Sequence, residues 1–362
     1  MATITEQQVL EALQVIIDPD LQRDIVSLGF VKDIKIEDGH VRVKIELTTP
    51  ACPVRDMFKQ QATQAVSVIP GVRNVTVEMT SQVRSRPETP EQLLPGVKQV
   101  VAIASGKGGV GKSTVAVNLA VALAKTGAKV GLLDADVYGP TVPKLMGCAN
   151  EHPIAEDGKL IPIETFGIKM MSLGMLITED SAVLWRGPMV ASAVQQLLSD
   201  VKWGELDYLL VDLPPGTGDA PMTLGQSVPL AGVVIVLTPQ DVAATIAAKS
   251  IQLFQRLDAP ILGIVENMAG FVCSHCGEVT QIFSGQSGPE LAKRFKIPFL
   301  GSIPLDPNIS ASGDQGTPAI EAYPDSTQAK AFTEITGKLA QQISIMATVQ
   351  KDLIRNVPLI KR

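Results

Sequence analysis

Apolar residues along this chain follow two rhythms. In the first part they alternate with polar ones, as Val41, Val43, Ile45 and Leu47 do in "HVRVKIELT", and again in "VRNVTVEMT". A period of two puts every second side chain on one face, so both stretches read as half-buried strands. "TEQQVLEALQVI" has helical spacing, with Thr5 placed to cap it, and 53–69 reads as a helix with Pro53 in its first turn. Residues 1–80 are therefore expected to form a small α+β domain. The segment 81–97, which takes in "SQVRSRPETPEQLLPG", is polar, carries prolines and has no period, so it reads as a linker.

From Lys98 the texture changes to short aliphatic runs: "VVAIAS", "KVGLLDAD", "YLLVDLP", "GVVIVLT", "ILGIVENM" and "FLGSIPL". Several are apolar at nearly every position, as strands covered on both faces are. Helical segments such as 113–126 and 241–257 lie between them. Strands alternating with helices predict an α/β domain over 98–345, a mostly parallel sheet with helices on both faces. Residues 346–362 are left as a C-terminal tail. In such sheets ligands bind beyond the carboxyl ends of the strands, so chemistry is expected just after each run.

Composition narrows the function. A chain of 362 residues suits two domains at ~150 residues each. A net charge of −6 and 4% aromatics make a poor nucleic-acid binder, which needs cations for phosphates and rings for bases. No apolar run approaches the ~20 residues of a membrane helix, and "MATITEQQVLEAL" lacks the pattern of a secretory signal. Four cysteines in so long a chain are no disulfide framework, so the expectation is a cytoplasmic protein with no stable membrane association.

The first strand runs into "SGKGGVGKST", and Gly106 to Ser113 fits G-x-x-x-x-G-K-[ST] between a strand and a helix. Glycines let backbone N–H groups turn around the phosphates, and the helix points its positive N-terminus at the same anion. Lys112 is placed to neutralise phosphate charge and the Ser113 hydroxyl to ligate Mg²⁺. The nucleotide cradle is expected from Gly106, Lys107, Gly108, Gly109, Val110, Gly111, Lys112, Ser113 and Thr114. "LLDADVYGP" ends a strand with Asp134 and Asp136, and "LLVDLPPGTGD" ends another with Asp212. A carboxylate there can hold Mg²⁺ or orient the attacking water. The Asn-Lys-x-Asp run that recognises guanine is absent from the sequence, so ATP is the expected nucleotide.

Late in the domain "GFVCSHCGEVT" holds Cys273 and Cys276, two of the four cysteines. Four readings are open: a thioredoxin-type pair, a zinc site within one chain, two incidental thiols, or half of a site completed by a second copy. Two C-x-x-C pairs brought together on a two-fold axis would offer four thiolates, suited to a [4Fe–4S] cluster or to zinc.

Lys107 adds a second lysine to the loop, and "KGGVGKST" resembles the deviant P-loop of the MinD/ParA class of ATPases, in the wider SIMIBI group. That resemblance implies a homodimer in which Lys107 reaches the partner's phosphates. It also implies that Asp136 positions water, that Asp212 acts on Mg²⁺, and that Asn267 contacts adenine with help from the loop around Pro304 and Asp306. The ordered set "SGKGGVGKST", "LLDADVYGP", "LWRGPM", "LLVDLPPGTGD", "VENM" and "CSHCG" resembles the Mrp/ApbC family of iron–sulfur cluster carriers, from Lys98 onward. The leading domain resembles the SufT/PaaD type, with its "TTPACP" at Thr48 to Pro53. The implied protein is a slow ATPase that holds a labile [4Fe–4S] cluster between two subunits on Cys273 and Cys276. It would exchange that cluster with scaffold proteins and apo iron–sulfur proteins. Cys52 is open between ligand and packing, Cys148 reads as inert, and Trp185 and Arg186 read as a dimer or switch contact. The competing expectation is a MinD/ParA-like positioning or switch ATPase with a structural zinc clasp. Its membrane-targeting tail is poorly matched by "VQKDLIRNVPLIKR", which Pro358 interrupts. A nickel-insertion ATPase would be richer in histidine than this chain, which has three.

Overall fold

The structure is a computed structural model and describes residues 4–84, 93–176, 187–273, 275, 276, 278–283, 285 and 287–355. Trp185, Arg186 and Pro358 lie outside them. The chain divides into two compact units, Met1–Arg84 with Ala340–Arg362, and Ser85–Leu339.

In the first unit the order is α1 (Glu6–Leu13), β1 (Val31–Glu37), β2 (His40–Leu47), α2 (Arg55–Ser67) and β3 (Asn74–Ser81). Thr5 caps α1 through a full capping box with Gln8. The alternation in β2 does what its period requires: Val41, Val43, Ile45 and Leu47 are all buried, against Val9 and Leu13 of α1 and Phe58, Ala62 and Val66 of α2. β2 pairs antiparallel with β1 and parallel with β3. The helix expected over 53–69 begins later, at Arg55, after a Val54 cap that makes no side-chain bond. Pro53 thus precedes the helix rather than sitting in its first turn.

The second unit runs β4 (Val97–Ser105), α3 (Lys112–Lys125), β5 (Val130–Asp134), α4 (Val142–Leu145), β6 (Ala155–Glu156), β7 (Lys159–Leu160), β8 (Ile163–Thr165), β9 (Ile168–Ser172) and α5 (Gly187–Ser199). It continues with β10 (Leu206–Asp212), α6 (Asp219–Ser227), β11 (Gly232–Leu237), α7 (Asp241–Arg256), β12 (Ile261–Val272), β13 (Val279–Thr280), α8 (Ser287–Phe295), β14 (Phe299–Leu305), α9 (Pro307–Asp314), α10 (Ala319–Ala322) and α11 (Thr327–Arg355). The large sheet is ordered β13-β12-β11-β4-β10-β5-β9-β8, with β14 also on β12. All its pairs are parallel except β8 with β9 and β12 with β13. This is the expected α/β fold, a mostly parallel sheet with helices, preceded by a small α+β unit. The six aliphatic runs are each a strand, and the structure adds the β8–β9 edge. β8 has only three residues, and β9 is the buried "IKMMS", too short for a period to show.

α3 is buried all round, with every residue from Val115 to Leu123 inside, as a helix packed on several sides must be. The expected linker is partly packed as well, since Val83 and Leu94 are buried. The expected tail begins inside α11, which is one continuous helix to Arg355. Within the first unit Ser344 of α11 hydrogen-bonds Thr48, and Arg84 Nη1 donates to Thr348 Oγ1 at 3.2 Å.

Candidate nucleotide and thiol site

Parallel pairing places the carboxyl ends of the central strands at one edge. Asp212 sits in register with Asp134 on one side and Ile103 on the other, and Val236 with Ser105. Backbone bonds continue past the strand ends: Ala135 N donates to Asp212 O, Leu213 N to Ile103 O, and Gly216 N to Ser105 O at 2.8 Å. The loop after Asp212 is thus held against the foot of the P-loop.

In the P-loop Gly109 and Gly111 adopt φ of 79° and 77°, the left-handed region that glycine enters at little cost. Gly106 is small for another reason. A Cβ there would lie 2.7 Å from the backbone of Ile246 and Ala247, so α7 packs directly on the loop. Lys112 and Ser113 open α3, and both turn to Asp212. Lys112 Nζ lies 2.6 Å from Asp212 Oδ1, and Ser113 Oγ donates to Asp212 Oδ2 at 2.5 Å. Asp136 Oδ2 is 3.9 Å from the same ammonium. Three carboxylates and one lysine therefore share a buried corner. Burial pushes the Asp212 carboxyl up, against the opposing pull of Lys112 and Ser113. Burial and the Asp212 charge raise Asp134 to about 7. Burial raises Asp136 too, with Lys112 opposing. Asp136 Oδ1 is buried and has no hydrogen-bond partner among the described residues. An orphaned carboxylate oxygen on a residue that shares Lys112 with Asp212, the acceptor of the Ser113 hydroxyl, suits a divalent cation or the water around it.

Other residues occupy specific places. Lys107 Nζ donates to Gln240 Oε1 at 3.0 Å, just ahead of α7. Asn267 is buried and its Nδ2 donates to Val110 O in the P-loop at 2.9 Å. Asp306 caps α9 by accepting from Asn308 N at 2.8 Å, two residues after Pro304 at the end of β14. The sequence pointed to none of Gln240, the Asn267–Val110 bond or Ser172, which holds Asp134. Gln240 directly follows "GVVIVLTP", the place a strand-end rule marks, whereas Ser172 lies on the unread edge strand.

β12 runs on beyond Asn267 through Gly270, at φ 81°, and forms a hairpin with β13. Cys273 and Cys276 sit in its turn. Cys273 is half-buried, Cys276 exposed, and both are free thiols. The backbone N–H groups of Cys276 and then His275 point at the Cys273 sulfur and lower its pKa. Among the described residues no group of three or more His, Cys, Asp or Glu side chains is arranged to hold a metal. Cys148 is buried and pushed up to about 11. Burial raises Cys52 as well, with Asp18 and Asp20 contributing.

The fold and the P-loop corner define a P-loop NTPase of the parallel-sheet kind. Residues 96–340 match the family described as "NUBPL iron-transfer P-loop NTPase", and residues 6–79 match "Iron-sulfur cluster assembly protein". The chain belongs to this family of iron-transfer P-loop NTPases. It is 47% identical to the "Iron-sulfur cluster carrier protein" of Deinococcus radiodurans, across 93% of this chain and 95% of that one. With the protein of the same description from Synechocystis it shares 44% identity, across 96% of this chain and 100% of the other. Among solved structures it is similar to the nucleotide-binding protein of Archaeoglobus fulgidus in complex with ADP. That match has 44% identity and a TM-score of 0.55, and covers 61% of this chain and 87% of that chain. The cluster-carrier resemblance carried by the motifs is borne out at the level of family.

Proposed function

We propose that the chain is an ATP-driven iron–sulfur cluster carrier. Two copies form a homodimer that holds a labile [4Fe–4S] cluster, its cargo, on Cys273 and Cys276 of each subunit. The dimer receives the cluster from scaffold proteins and passes it to apo iron–sulfur proteins in a reducing cytoplasm. The observation that carries this reading is the path of one strand. β12 bonds the P-loop through Asn267 and ends, six residues on, in the thiol-bearing turn. A nucleotide-dependent shift of the loop therefore has a short mechanical route to the cluster ligands. Two thiols per chain are half of a four-thiolate site, and a two-fold partner supplies the rest. The relatives' descriptions and the ADP complex of the Archaeoglobus protein support the same reading.

ATP would take over the partners that Asp212 now holds. Lys112 leaves Asp212 for the phosphates, and the backbone N–H groups of 106–114 cradle them. Ser113 and Asp212 would hold Mg²⁺, which neutralises charge on the β- and γ-phosphates when bound. Asp136 orients the water that attacks the γ-phosphorus in line as the bond to the bridging oxygen breaks. Lys107 exchanges Gln240 for the partner's phosphates, and Asn267, Pro304 and Asp306 border the adenine. Hydrolysis is slow and serves cluster binding or transfer rather than a metabolic reaction. The chain acts without nucleic acid and without stable membrane association. Among the described residues no helix is long and apolar enough to cross a membrane.

The test is iron, sulfide and zinc per dimer on protein reconstituted without oxygen. About four irons and four sulfides are expected, lost in Cys273→Ala while ATP still binds. Zinc without sulfide would overturn the carrier reading in favour of a switch ATPase with a zinc clasp.

A further inference from the structure

Asp134 has no part in the scheme above, yet it is the carboxylate most fully engaged by hydrogen-bond donors at the site. It is 1% exposed. Its Oδ1 accepts from Asp136 N at 3.1 Å, and its Oδ2 from Val142 N at 3.3 Å and from Ser172 Oγ at 3.0 Å. The two backbone donors bracket the segment 136–142, which carries Asp136. Ser172 ends β9, the strand beyond β5, and its hydroxyl also accepts from Gly174 N at 3.1 Å. Gly174 in turn meets the segment directly, since a Cβ there would lie 2.5 Å from Pro140 Cγ.

We propose that Asp134, backed by Ser172 and Gly174, is a positioning residue for ATP hydrolysis: it clamps both ends of the 136–142 segment and so fixes the Asp136 carboxylate against the attacking water. The proposal rests on the ATPase reading given above. The geometry gives the clamp a reason. Apart from the Lys112 ammonium 3.9 Å from its Oδ2, Asp136 is met by the backbone N–H groups of Tyr138 and Gly139 of its own segment, and its Oδ1 has no hydrogen-bond partner among the described residues. Whatever holds the ends of that segment sets where the free oxygen points. A carboxylate suits the task because both of its oxygens accept, and all three of its hydrogen-bond partners donate. An asparagine keeps one acceptor but turns an NH₂ group against the N–H of Val142 or the hydroxyl of Ser172. Misplacing a water-orienting group by an ångström costs rate without costing affinity, because the phosphates are bound by the P-loop.

Steady-state ATPase assays on the full chain test this. In Asp134→Asn, kcat is expected to fall by roughly tenfold or more while KM for ATP moves less than about threefold. Ser172→Ala, which removes one hydroxyl, should lower kcat by about threefold, and the double variant should be no slower than Asp134→Asn, because Ser172 acts through Asp134. Unchanged kcat in Asp134→Asn, or a raised KM with kcat intact, overturns the proposal. Additive losses in the double variant overturn the Ser172 support. If Asp134→Asn fails to fold, Ser172→Ala decides alone by the same split between kcat and KM. A wild-type chain with no ATPase above the Lys112→Ala background would remove the ATPase reading itself, and the clamp with it.

Discussion

Cys273 and Cys148 have the same side chain and opposite surroundings. Cys273 sits in an open turn where backbone N–H groups stabilise its thiolate, and its pKa falls. Cys148 lies inside, its sulfur 3.5 Å from Pro143 O, and burial raises it to about 11. Cys52 is shifted upward by burial as well. A lower pKa means more thiolate at a given pH, and thiolate is the form that reacts and binds metal. Iodoacetamide near pH 7.5, followed by mass spectrometry of the metal-free native protein, should therefore label Cys273 well before Cys52, and Cys148 last. Raising the pH through 9 should speed Cys52 while Cys148 stays slow. Early labelling of Cys148 would contradict its assignment as a packed, inert thiol. The C-x-x-C spacing already singled out Cys273 and Cys276, but the N–H groups aimed at one sulfur depend on the hairpin turn.

Among elements, the P-loop separates what glycine does for the backbone from what it does for packing. At Gly108 a Cβ would find only Pro215 Cγ, 3.8 Å away. At Gly109 there is space, but φ is 79°, which costs an alanine about 1 kcal/mol. At Gly106 φ is unexceptional, yet a Cβ would strike α7 backbone that no rotamer change can move aside. Melting of the nucleotide-free protein should rank the alanine variants accordingly: Gly108→Ala near wild type, Gly109→Ala lower by a few degrees, Gly106→Ala lowest. If Gly106→Ala were as stable as wild type, the close approach of α7 to the loop would be wrong. The G-x-x-x-x-G-K-[ST] pattern was legible as a motif, and it gave all of these glycines the same role, a backbone that turns around the phosphates. Which one is small for packing follows from a helix that begins 135 residues later in the chain, at Asp241.

At the scale of the whole molecule, α11 carries the chain from one compact unit into the other, with Ala340 onward belonging to the first. There it buries Ile343, and Ser344 and Thr348 bond Thr48 and Arg84. Deleting residues 340–362 should lower the stability of the first unit by a few kcal/mol, from lost apolar burial and about 1 kcal/mol per hydrogen bond. Calorimetry should show that unit's transition moving down in temperature, with ADP affinity retained. Two unmoved transitions would sink this assignment. Thr48, which opens the "TTPACP" motif, is thus bonded by a residue of α11, which a reading of residues 1–80 as a domain did not include.

The linear sequence by itself determined the local matters. Strands followed from runs of aliphatic residues, helices from their spacing and caps, and the nucleotide loop and thiol pair from motifs of a few adjacent residues. These depend on interactions within one or two turns of chain, so composition and period suffice to specify them. Only the tertiary structure decided which distant groups meet: Gln240 at Lys107, Asn267 at Val110, and Ser172 with Asp134 at the ends of the Asp136 segment. Each of these is a single polar contact between elements far apart in the chain. A hydrogen bond needs its partners placed to a few tenths of an ångström, and that placement comes from the packing of whole strands and helices, which no local pattern encodes.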